Sequence, residues 1–285
     1  MKINFKRIAT VSLASLIAFS AIQPAPLAAE KSIYSTINTE AGLEISFGEP
    51  TVNTTAFQAF SLFNSEVLLS KTEKVDNSLE QNITIKPTQV NSKINIPLEM
   101  NDDFYLVLGE DEYGNTNGAA LIYDAEGTSV GVINSPVSDN PDLKVVDAEI
   151  LDGQTIQLDL ESTQEITEDS NLMIKATATY YKDYFYQTGQ WVWRDNDLIA
   201  LRLYPNSYLW SGTTNDQIIK SADSWNKVKA VHSGNSNWYN QSSLEDQYFC
   251  HYTFARQEYN WNLEPARPDV GTTKTIYHRC NAPTN

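Results

Sequence analysis

The sequence predicts a β-rich, sandwich-like N-terminal module followed by a small α+β domain with one disulfide. Apolar and polar residues alternate with a period of two over most of residues 31–185, which is typical of half-buried strands. All six tryptophans, all three histidines and both cysteines lie beyond residue 190, and the acidic excess lies almost wholly before residue 181. This change in composition predicts two domains, an acidic β-rich module at residues 30–187 and a Trp-rich α+β domain at residues 188–285.

The N-terminus has the composition of a secretory signal peptide. Three basic side chains lie within the first seven positions, ahead of an apolar run at residues 8–22 and small residues at Ala28 and Ala29. A permanent membrane anchor is the alternative, but the run is shorter than the roughly 20 residues of a spanning helix. We therefore expect residues 1–29 to be removed and the mature chain to be secreted to the extracellular space, with no membrane span.

The charge of the chain limits its partners. The formal net charge is -16 at pH 7. General nucleic-acid binding needs clustered Lys and Arg to neutralise phosphates, so the sequence argues against a nucleic-acid partner. We expect an extracellular ligand or a component of a cell surface.

Within the predicted module, three neighbouring segments form the clearest unit. Residues 104–108, 119–123 and 130–133 are apolar segments separated by Asn117-Gly118 and by a turn that ends at Gly127. Because both connections have favourable turn chemistry, they predict a three-stranded meander. Other alternating segments predict the remaining strands of a sandwich or curled sheet: residues 43–47, 83–85, 94–96, 155–160 and 172–180. Pro87 is expected to end the strand at residues 83–85, and Pro97 the strand at residues 94–96.

One segment of the module has a helical period instead. Phe57, Phe60, Phe63 and Val67 recur at near-helical spacing. Because residues three and four apart share one face of a helix, the spacing predicts a short amphipathic helix within residues 55–71, packed on the sheet.

The segment DEYGNTNG at residues 111–118 invites comparison with calcium-binding loops. Carboxylate and amide oxygens at alternate positions before a glycine resemble such a loop. However, Tyr113 and Gly114 stand where oxygen ligands are needed, and no glutamate follows at the required offset. We interpret the segment as an ordinary polar hairpin loop and predict neither a metal site nor a cofactor.

The C-terminal domain begins with a strand, a turn and a second strand at residues 191–203, and three helices follow. Ala222, Trp225 and Val228 form one stripe of a helix at residues 221–231, with Asp223 expected in its first turn. The capping sequence that starts at Ser243 predicts a second helix to about Arg256, and a short third helix should begin near Thr272. We interpret the tryptophans chiefly as the core of this domain.

The two cysteines of an exported chain most simply form one disulfide, Cys250–Cys280. Closing a loop of about 30 residues stabilises the fold by about 3 to 4 kcal/mol in the chain-entropy model. His251 follows the first cysteine directly and His278 precedes the second by two residues, so the bridge brings the two backbone segments together.

The polar side chains around this bridge leave two interpretations open. A general acid–base pair centred on His251 would suit hydrolysis of a phosphodiester or similar bond, whereas the same side chains can serve only to satisfy backbone groups and one another. A metal site lacks a third ligand at a familiar spacing, and a nucleophilic Cys250 would need a free thiol. The candidate catalytic residues are His251, with Asp246, Glu264 or His278 as its partner, and Arg267 or Arg279 as the anion-binding group.

The C-terminal third carries a specific set of short motifs. They are Asp246-Gln247, Cys250-His251, Trp261-Asn262-Leu263-Glu264-Pro265, Arg267-Pro268-Asp269-Val270 and Cys280-Asn281. Over about residues 191–283 the chain closely resembles a bacterial exported family known only as a domain of unknown function, number 2599.

The resemblance implies that Cys250 and Cys280 are the paired cysteines of the family, and that His251, Glu264 and Arg267 are its signature polar positions. His232 and His278 lie outside the pattern, and no activity comes with the resemblance. Residues 118–185 also look like the β-rich module that precedes varied C-terminal domains in exported bacterial proteins.

Two functional hypotheses follow from the sequence. The first is an extracellular interaction or effector protein, because the chain has an acidic module and lacks a complete catalytic motif. The alternative is a small secreted hydrolase that uses His251 as acid or base, assisted by Glu264 or Asp246, with Arg267 binding an anion.

Overall fold

The computed structural model describes residues 35–39, 42, 44–53, 65–194 and 197–284. The predicted signal peptide, residues 1–29, lies outside these ranges. In the described part the strands are β1 (Ile37–Asn38), β2 (Glu44–Phe47), β3 (Thr51–Asn53), β4 (Ser65–Val67), β5 (Ser70–Val75), β6 (Ser78–Ile85), β7 (Lys93–Glu99), β8 (Tyr105–Leu108), β9 (Ala120–Tyr123), β10 (Ser129–Ser138), β11 (Leu143–Ile150), β12 (Thr155–Ser162), β13 (Ser170–Ala178), β14 (Gln190–Trp193), β15 (Ile199–Leu203) and β16 (Trp261–Leu263). The α-helices are α1 (Tyr181–Tyr184), α2 (Thr214–His232), α3 (Gln241–Phe254) and α4 (Thr272–Tyr277).

Two antiparallel sheets form the β-rich module and share one hydrophobic core. The first has the order β1-β2-β7-β12-β11, with β3 paired to β7 and β4 to β3, and the second has the order β5-β6-β13-β10-β9-β8. Ile94 and Ile156 from the first sheet lie in the same buried cluster as Ile83, Ile133 and Ile174 from the second. The β-rich, sandwich-like architecture predicted from the alternating pattern is therefore confirmed.

The predicted meander is present as β8, β9 and β10, with β9 paired to both neighbours. The expectation that Pro97 ends a strand is wrong, because Pro97 lies inside β7 and faces Thr155 of β12. On the other edge of β7, the partner changes at this point from β3 to β2. A proline, which cannot donate a backbone hydrogen bond, is tolerated where one partner strand gives way to the next.

The helix predicted within residues 55–71 is not found in the part that the structure describes. Residues 65–67 form β4 and residues 70–75 begin the long hairpin of β5 and β6. Val67, expected on the apolar stripe, is 57% exposed. Residues 54–64, which carry the three phenylalanines of the pattern, lie outside the described residues.

The C-terminal region has a three-stranded antiparallel sheet, β14-β15-β16, with helices packed against it. The predicted strand, turn and strand are β14 and β15. Trp225, Tyr248 and Trp261 lie in the buried core of this region, as expected for the tryptophans. Trp193 is an exception, since it is 75% exposed on β14.

The first long helix of this region, α2, begins seven residues earlier than the sequence pattern predicts. Thr213 caps it: its hydroxyl accepts from the backbone N–H of Asp216, and the Asp216 carboxylate accepts from the backbone N–H of Thr213. The placement of Asp223 in the first turn is consequently wrong. Asp223 lies in the middle of α2 and is fully buried.

The start of the second long helix, α3, also differs from the prediction. It begins at Gln241, after Asn240 in the left-handed conformation, and Ser243 is not its cap. Ser243 Oγ instead accepts from the side-chain amide of Gln247. The short helix expected near Thr272 is present as α4.

Helix α2 also packs on the second sheet of the sandwich. Ile219 and Ala222 share a small buried cluster with Ala119, Leu121 and Val132 from around β9 and β10. All the described residues belong to one compact unit. The predicted domain boundary at residues 187 and 188 falls after α1 and stays a prediction.

Candidate functional site

The predicted disulfide joins α3 to the segment after α4. Cys250 and Cys280 are bonded, with their Cα atoms 5.4 Å apart, and both side chains are buried. Around this bridge lie Gln247, His251, Glu264 and Arg267, which together with the two cysteines we call the disulfide cluster.

Glu264, the acid of the disulfide cluster, is 1% exposed. One carboxylate oxygen accepts from Arg267 Nε, and the other lies 3.6 Å from Arg194 Nε. Arg267 Nη1 also donates to the backbone oxygen of Ala282 at 2.5 Å. Because Glu264 and Arg267 are buried charges that neutralise each other, the pair stabilises the fold only while both side chains are present.

Gln247 holds the backbone of Glu264 as a neighbouring strand would. Its amide nitrogen donates to the Glu264 carbonyl at 3.0 Å, and its amide oxygen accepts from the Glu264 N–H at 2.8 Å. Asp246, a candidate catalytic residue, accepts from Thr272 Oγ1 at 2.6 Å. Asp246 thus ties α3 to α4, and Gln247 ties α3 to the residue that follows β16.

His251 is buried on α3 and lies beside the ring of Trp261. Its Nδ1 is 2.7 Å from the backbone oxygen of Gln247. Since a carbonyl can only accept, Nδ1 carries the proton and Nε2 is the basic nitrogen of the neutral ring. Burial lowers the pKa of His251, partly offset by the hydrogen bond to Gln247, so the ring is neutral at pH 7.

The structure brings only part of the predicted site together. Glu264 and Arg267 are in contact, but among the described residues no hydrogen bond joins His251 to Asp246, Glu264 or Arg267. Arg279 and His278 lie on the segment before the second cysteine. Nor do the described residues contain a group of three His, Cys, Asp or Glu side chains that could hold a metal ion.

The loop compared with calcium sites is held by its own hydrogen bonds. Asp111 accepts from the side chain and backbone N–H of Asn115 and from the backbone N–H of Tyr113. These bonds, chiefly those to Asn115, lower the pKa of Asp111. The carboxylate therefore organises the turn, as the interpretation of a polar hairpin loop requires.

A buried polar network between α2 and the sandwich was not predicted. Asp223 of α2 accepts from Ser129 Oγ of β10 and, at 2.6 Å, from the hydroxyl of Tyr184 of α1. Lys227 lies one turn further along α2, 3.8 Å from Asp223, and donates to the backbone oxygen of Ser129 at 2.7 Å. The i,i+4 spacing of Asp223 and Lys227 was visible in the sequence, but nothing in it indicated burial.

Two clefts flank the short helix α1. The first, which we call the aromatic cleft, has a volume of about 430 Å³ and is lined chiefly by Tyr180, Tyr181, Lys182, Phe185, Tyr186 and Gln187. The second, which we call the polar cleft, has a volume of about 390 Å³ and is lined chiefly by Asp76, Ser78, Lys175, Thr177, Asp183 and Tyr208. Neither cleft contains a residue of the disulfide cluster.

The half-buried Tyr181 and the buried His232 support the wall of the aromatic cleft. The Tyr181 hydroxyl accepts from the backbone N–H of Gly189 at 3.1 Å and lies 3.3 Å from His232 Nε2. A side chain at Gly189 would crowd this contact, because its Cβ would lie 2.9 Å from His232 Nε2. Burial lowers the pKa of His232 to about 4 and raises that of Tyr181 to about 12, so both are neutral at pH 7.

A known sequence family covers most of the C-terminal region. The matched segment contains the three-stranded sheet, α2, α3, α4 and the disulfide cluster. Residues 186–283 match the family model described as Protein of unknown function (DUF2599). The resemblance drawn from the motifs is confirmed for this C-terminal third. The DUF2599 region begins at Tyr186 in the aromatic cleft and contains the whole disulfide cluster. Neither a curated protein nor a solved structure matches the chain.

No helix in the described ranges combines the length and the apolar character needed to cross a membrane.

Proposed function

We propose that this protein is a secreted interaction protein that binds saccharides of an extracellular or cell-surface partner in the aromatic cleft. Export is supported by the signal-like N-terminal sequence and by the disulfide, a bond typical of oxidising compartments. The binding role rests on the aromatic cleft.

The composition of that cleft is the observation that carries the proposal. Four aromatic rings line it together with Lys182, Gln187 and Thr188. Tyr186 is 74% exposed, so its ring is available to a ligand. A sugar ring offers an apolar face to aromatic side chains and hydroxyls to amides, ammonium groups and hydroxyls, and this lining supplies partners for both.

The disulfide cluster favours binding over hydrolysis. Its carboxylate is shared by two arginines, and its glutamine is engaged with the backbone of Glu264 and the hydroxyl of Ser243. A general base must lie within hydrogen-bond reach of the proton that it removes, which requires access for a substrate. His251 is only 8% exposed, and the described clefts lie elsewhere.

Glycan-array screening followed by calorimetric titration tests the proposal. Tyr186→Ala should weaken binding of the best glycan about tenfold or more, since an aromatic contact and its buried area are lost. Tyr277→Ala is the matched control, because Tyr277 is 81% exposed on α4, outside the cleft, and should leave affinity unchanged. Absence of any glycan ligand, or equal effects of the two variants, would count against the proposal.

The hydrolase hypothesis has a separate test. If the hydrolase hypothesis is right, the wild-type protein is active in a panel of nuclease, lipase, glycosidase and peptidase assays. His251→Ala would then abolish that activity while preserving fold and secretion. We expect no activity in the panel and expect His251→Ala to lower stability, because it leaves a cavity beside Trp261.

A further inference from the structure

A row of tyrosines continues from the aromatic cleft across the end of the three-stranded sheet. The backbone N–H of Tyr186, which lines the cleft, donates to the carbonyl oxygen of Tyr204 at 2.9 Å. The ring of Tyr204 in turn meets the ring of Tyr259 edge-on, with 5.7 Å between the ring centroids. We call these three residues, Tyr186, Tyr204 and Tyr259, the aromatic strip.

The backbone holds Tyr186 and Tyr204 on the side of the sheet that faces away from the core. Phe185 and Pro205 form an antiparallel bridge, so Tyr186 and Tyr204 are the next pair of opposite residues. Phe185 and Leu203, which precede them in the chain, are both buried in the core of the C-terminal region. Because successive side chains along a strand point to opposite faces, the two tyrosines share the outer face.

The two ends of the aromatic strip are open to solvent, and its middle is covered. Tyr186 is 74% exposed and Tyr259 is 75% exposed, whereas Tyr204 between them is 8% exposed. Tyr259 belongs to the segment that leads into β16, on the opposite side of β15 from Tyr186. Since neighbouring strands lie about 4.8 Å apart, the two exposed tyrosines are separated by about two strand spacings, ~10 Å.

A polar row borders the aromatic strip on the same face of the sheet. Arg202 lies two residues before Tyr204 on β15 and opposite Asn262 of β16. Arg202 Nε donates to Asn262 Oδ1 at 3.0 Å, and Asn262 Nδ2 donates to Asn260 Oδ1 at 2.9 Å. All three side chains are partly exposed, and within the described part of the chain Arg202 has no ion-pair partner. Its guanidinium group therefore has N–H groups to offer to the hydroxyls of a ligand.

We propose that the ligand of the aromatic cleft is an extended, unbranched oligosaccharide whose chain continues over the aromatic strip to Tyr259, an inference that rests on the proposed function. A single sugar ring can occupy the cleft but cannot reach both exposed tyrosines. A chain with equatorial linkages stays extended and places one sugar ring against Tyr186 and a later one against Tyr259. The hydroxyls between these two contacts lie beside the polar row, which supplies their hydrogen-bond partners.

The experiment is calorimetric titration of the full mature chain with cello-oligosaccharides and chito-oligosaccharides, each from the disaccharide to the hexasaccharide. Both series have equatorial linkages and differ in the acetamido group. In at least one series we expect the hexasaccharide to bind about tenfold more tightly than the disaccharide, because it gains a second aromatic contact. Malto-oligosaccharides, whose axial linkages curve the chain away from the strip, are the matched probes and should show no such gain.

Substitutions of Tyr259 test the far end of the strip. Tyr259→Ala should remove the gain with chain length and leave the affinity for the disaccharide unchanged. Because Tyr259 is 75% exposed, thermal unfolding of this variant should match that of the wild type. Tyr259→Phe keeps the aromatic ring and should keep the gain. Tyr277→Ala, which removes an equally exposed ring from α4, should leave binding of every chain length unchanged.

The outcomes separate the aromatic strip from the aromatic cleft. Tyr186→Ala should weaken binding of every chain length, the disaccharide included. Equal affinity for disaccharide and hexasaccharide, or a full gain retained in Tyr259→Ala, would overturn the role of the strip while leaving binding in the cleft intact. The same holds if neither series binds at millimolar concentration and the array yields another glycan. If no glycan binds at all, the proposed function fails together with this inference.

Discussion

Replacing Glu264 by glutamine tests whether the disulfide cluster is structural. The substitution keeps the shape of the side chain but leaves the guanidinium group of Arg267, 11% exposed, without its buried counter-charge. Breaking a buried ion pair by removing one partner costs about 3 to 5 kcal/mol. With a urea slope of about 3 kcal/mol per M, the midpoint of unfolding should fall by about 1 to 2 M.

The assay is urea unfolding followed by circular dichroism, with Glu73→Gln as the control. Glu73 pairs with Lys71 on the exposed strand β5, where both side chains are more than half exposed. Such a surface pair contributes at most about 1 kcal/mol, so this control should change the midpoint little. A Glu264→Gln variant within about 0.5 kcal/mol of the wild type would refute the structural role.

Three further predictions concern the bridge and the buried polar groups. Replacing both Cys250 and Cys280 by serine should lower the free energy of unfolding by about 3 to 4 kcal/mol, and intact mass should rise by two hydrogens on reduction of the wild type. His232 has a folded-state pKa of about 4, below its ordinary value of 6.5, so its contribution to stability is present above pH 6.5 and lost as pH falls towards 4. His232→Gln should flatten the stability curve across that window. Asp223→Asn should destabilise by about 3 kcal/mol or more, because Lys227 stays buried without its counter-charge.

Each of these predictions has a contradicting result. Two free thiols in the native protein would exclude the bridge. If His278→Gln, at a partly exposed site outside the core, flattened the pH curve as much as His232→Gln, burial would not be the cause. If Asp223→Asn unfolded with the wild-type midpoint, the contact between α2 and the sandwich would not depend on this network.

The strands were predictable from the sequence because their signals are local. The meander of β8, β9 and β10 combines alternating residues with turns at Gly118 and Gly127, both of which have positive φ. The disulfide was predictable because the chain has two cysteines. Both signals depend on residue types whose physical role is nearly the same in any context.

The helices were harder because α2 does not follow the usual pattern of an amphipathic helix. Asp216, Lys220, Asp223 and Lys227 are all buried, as partners of polar groups on the sandwich or on neighbouring turns. A search for an apolar stripe therefore finds only the second half of α2. At the phenylalanine-rich segment, the spacing of Val67 fits a helix, but pairing of β4 with β3 takes precedence.

The candidate site could also be predicted from the sequence only in part. The motifs identified which residues surround the bridge, and Glu264 and Arg267 do meet. The sequence did not indicate Arg194 as the second partner of Glu264, because that contact joins residues far apart in the chain. Nor could it indicate the two clefts, which depend on how α1 lies between the sandwich and the C-terminal region.

An NMR titration of the labelled mature chain with its best glycan tests the central claim most directly. Binding in the aromatic cleft predicts amide shift changes concentrated at residues 180–188 and at Val231, with little change around Gln247, His251 and Glu264. Shift changes centred on those three residues of the disulfide cluster instead would contradict the account and favour a site at His251.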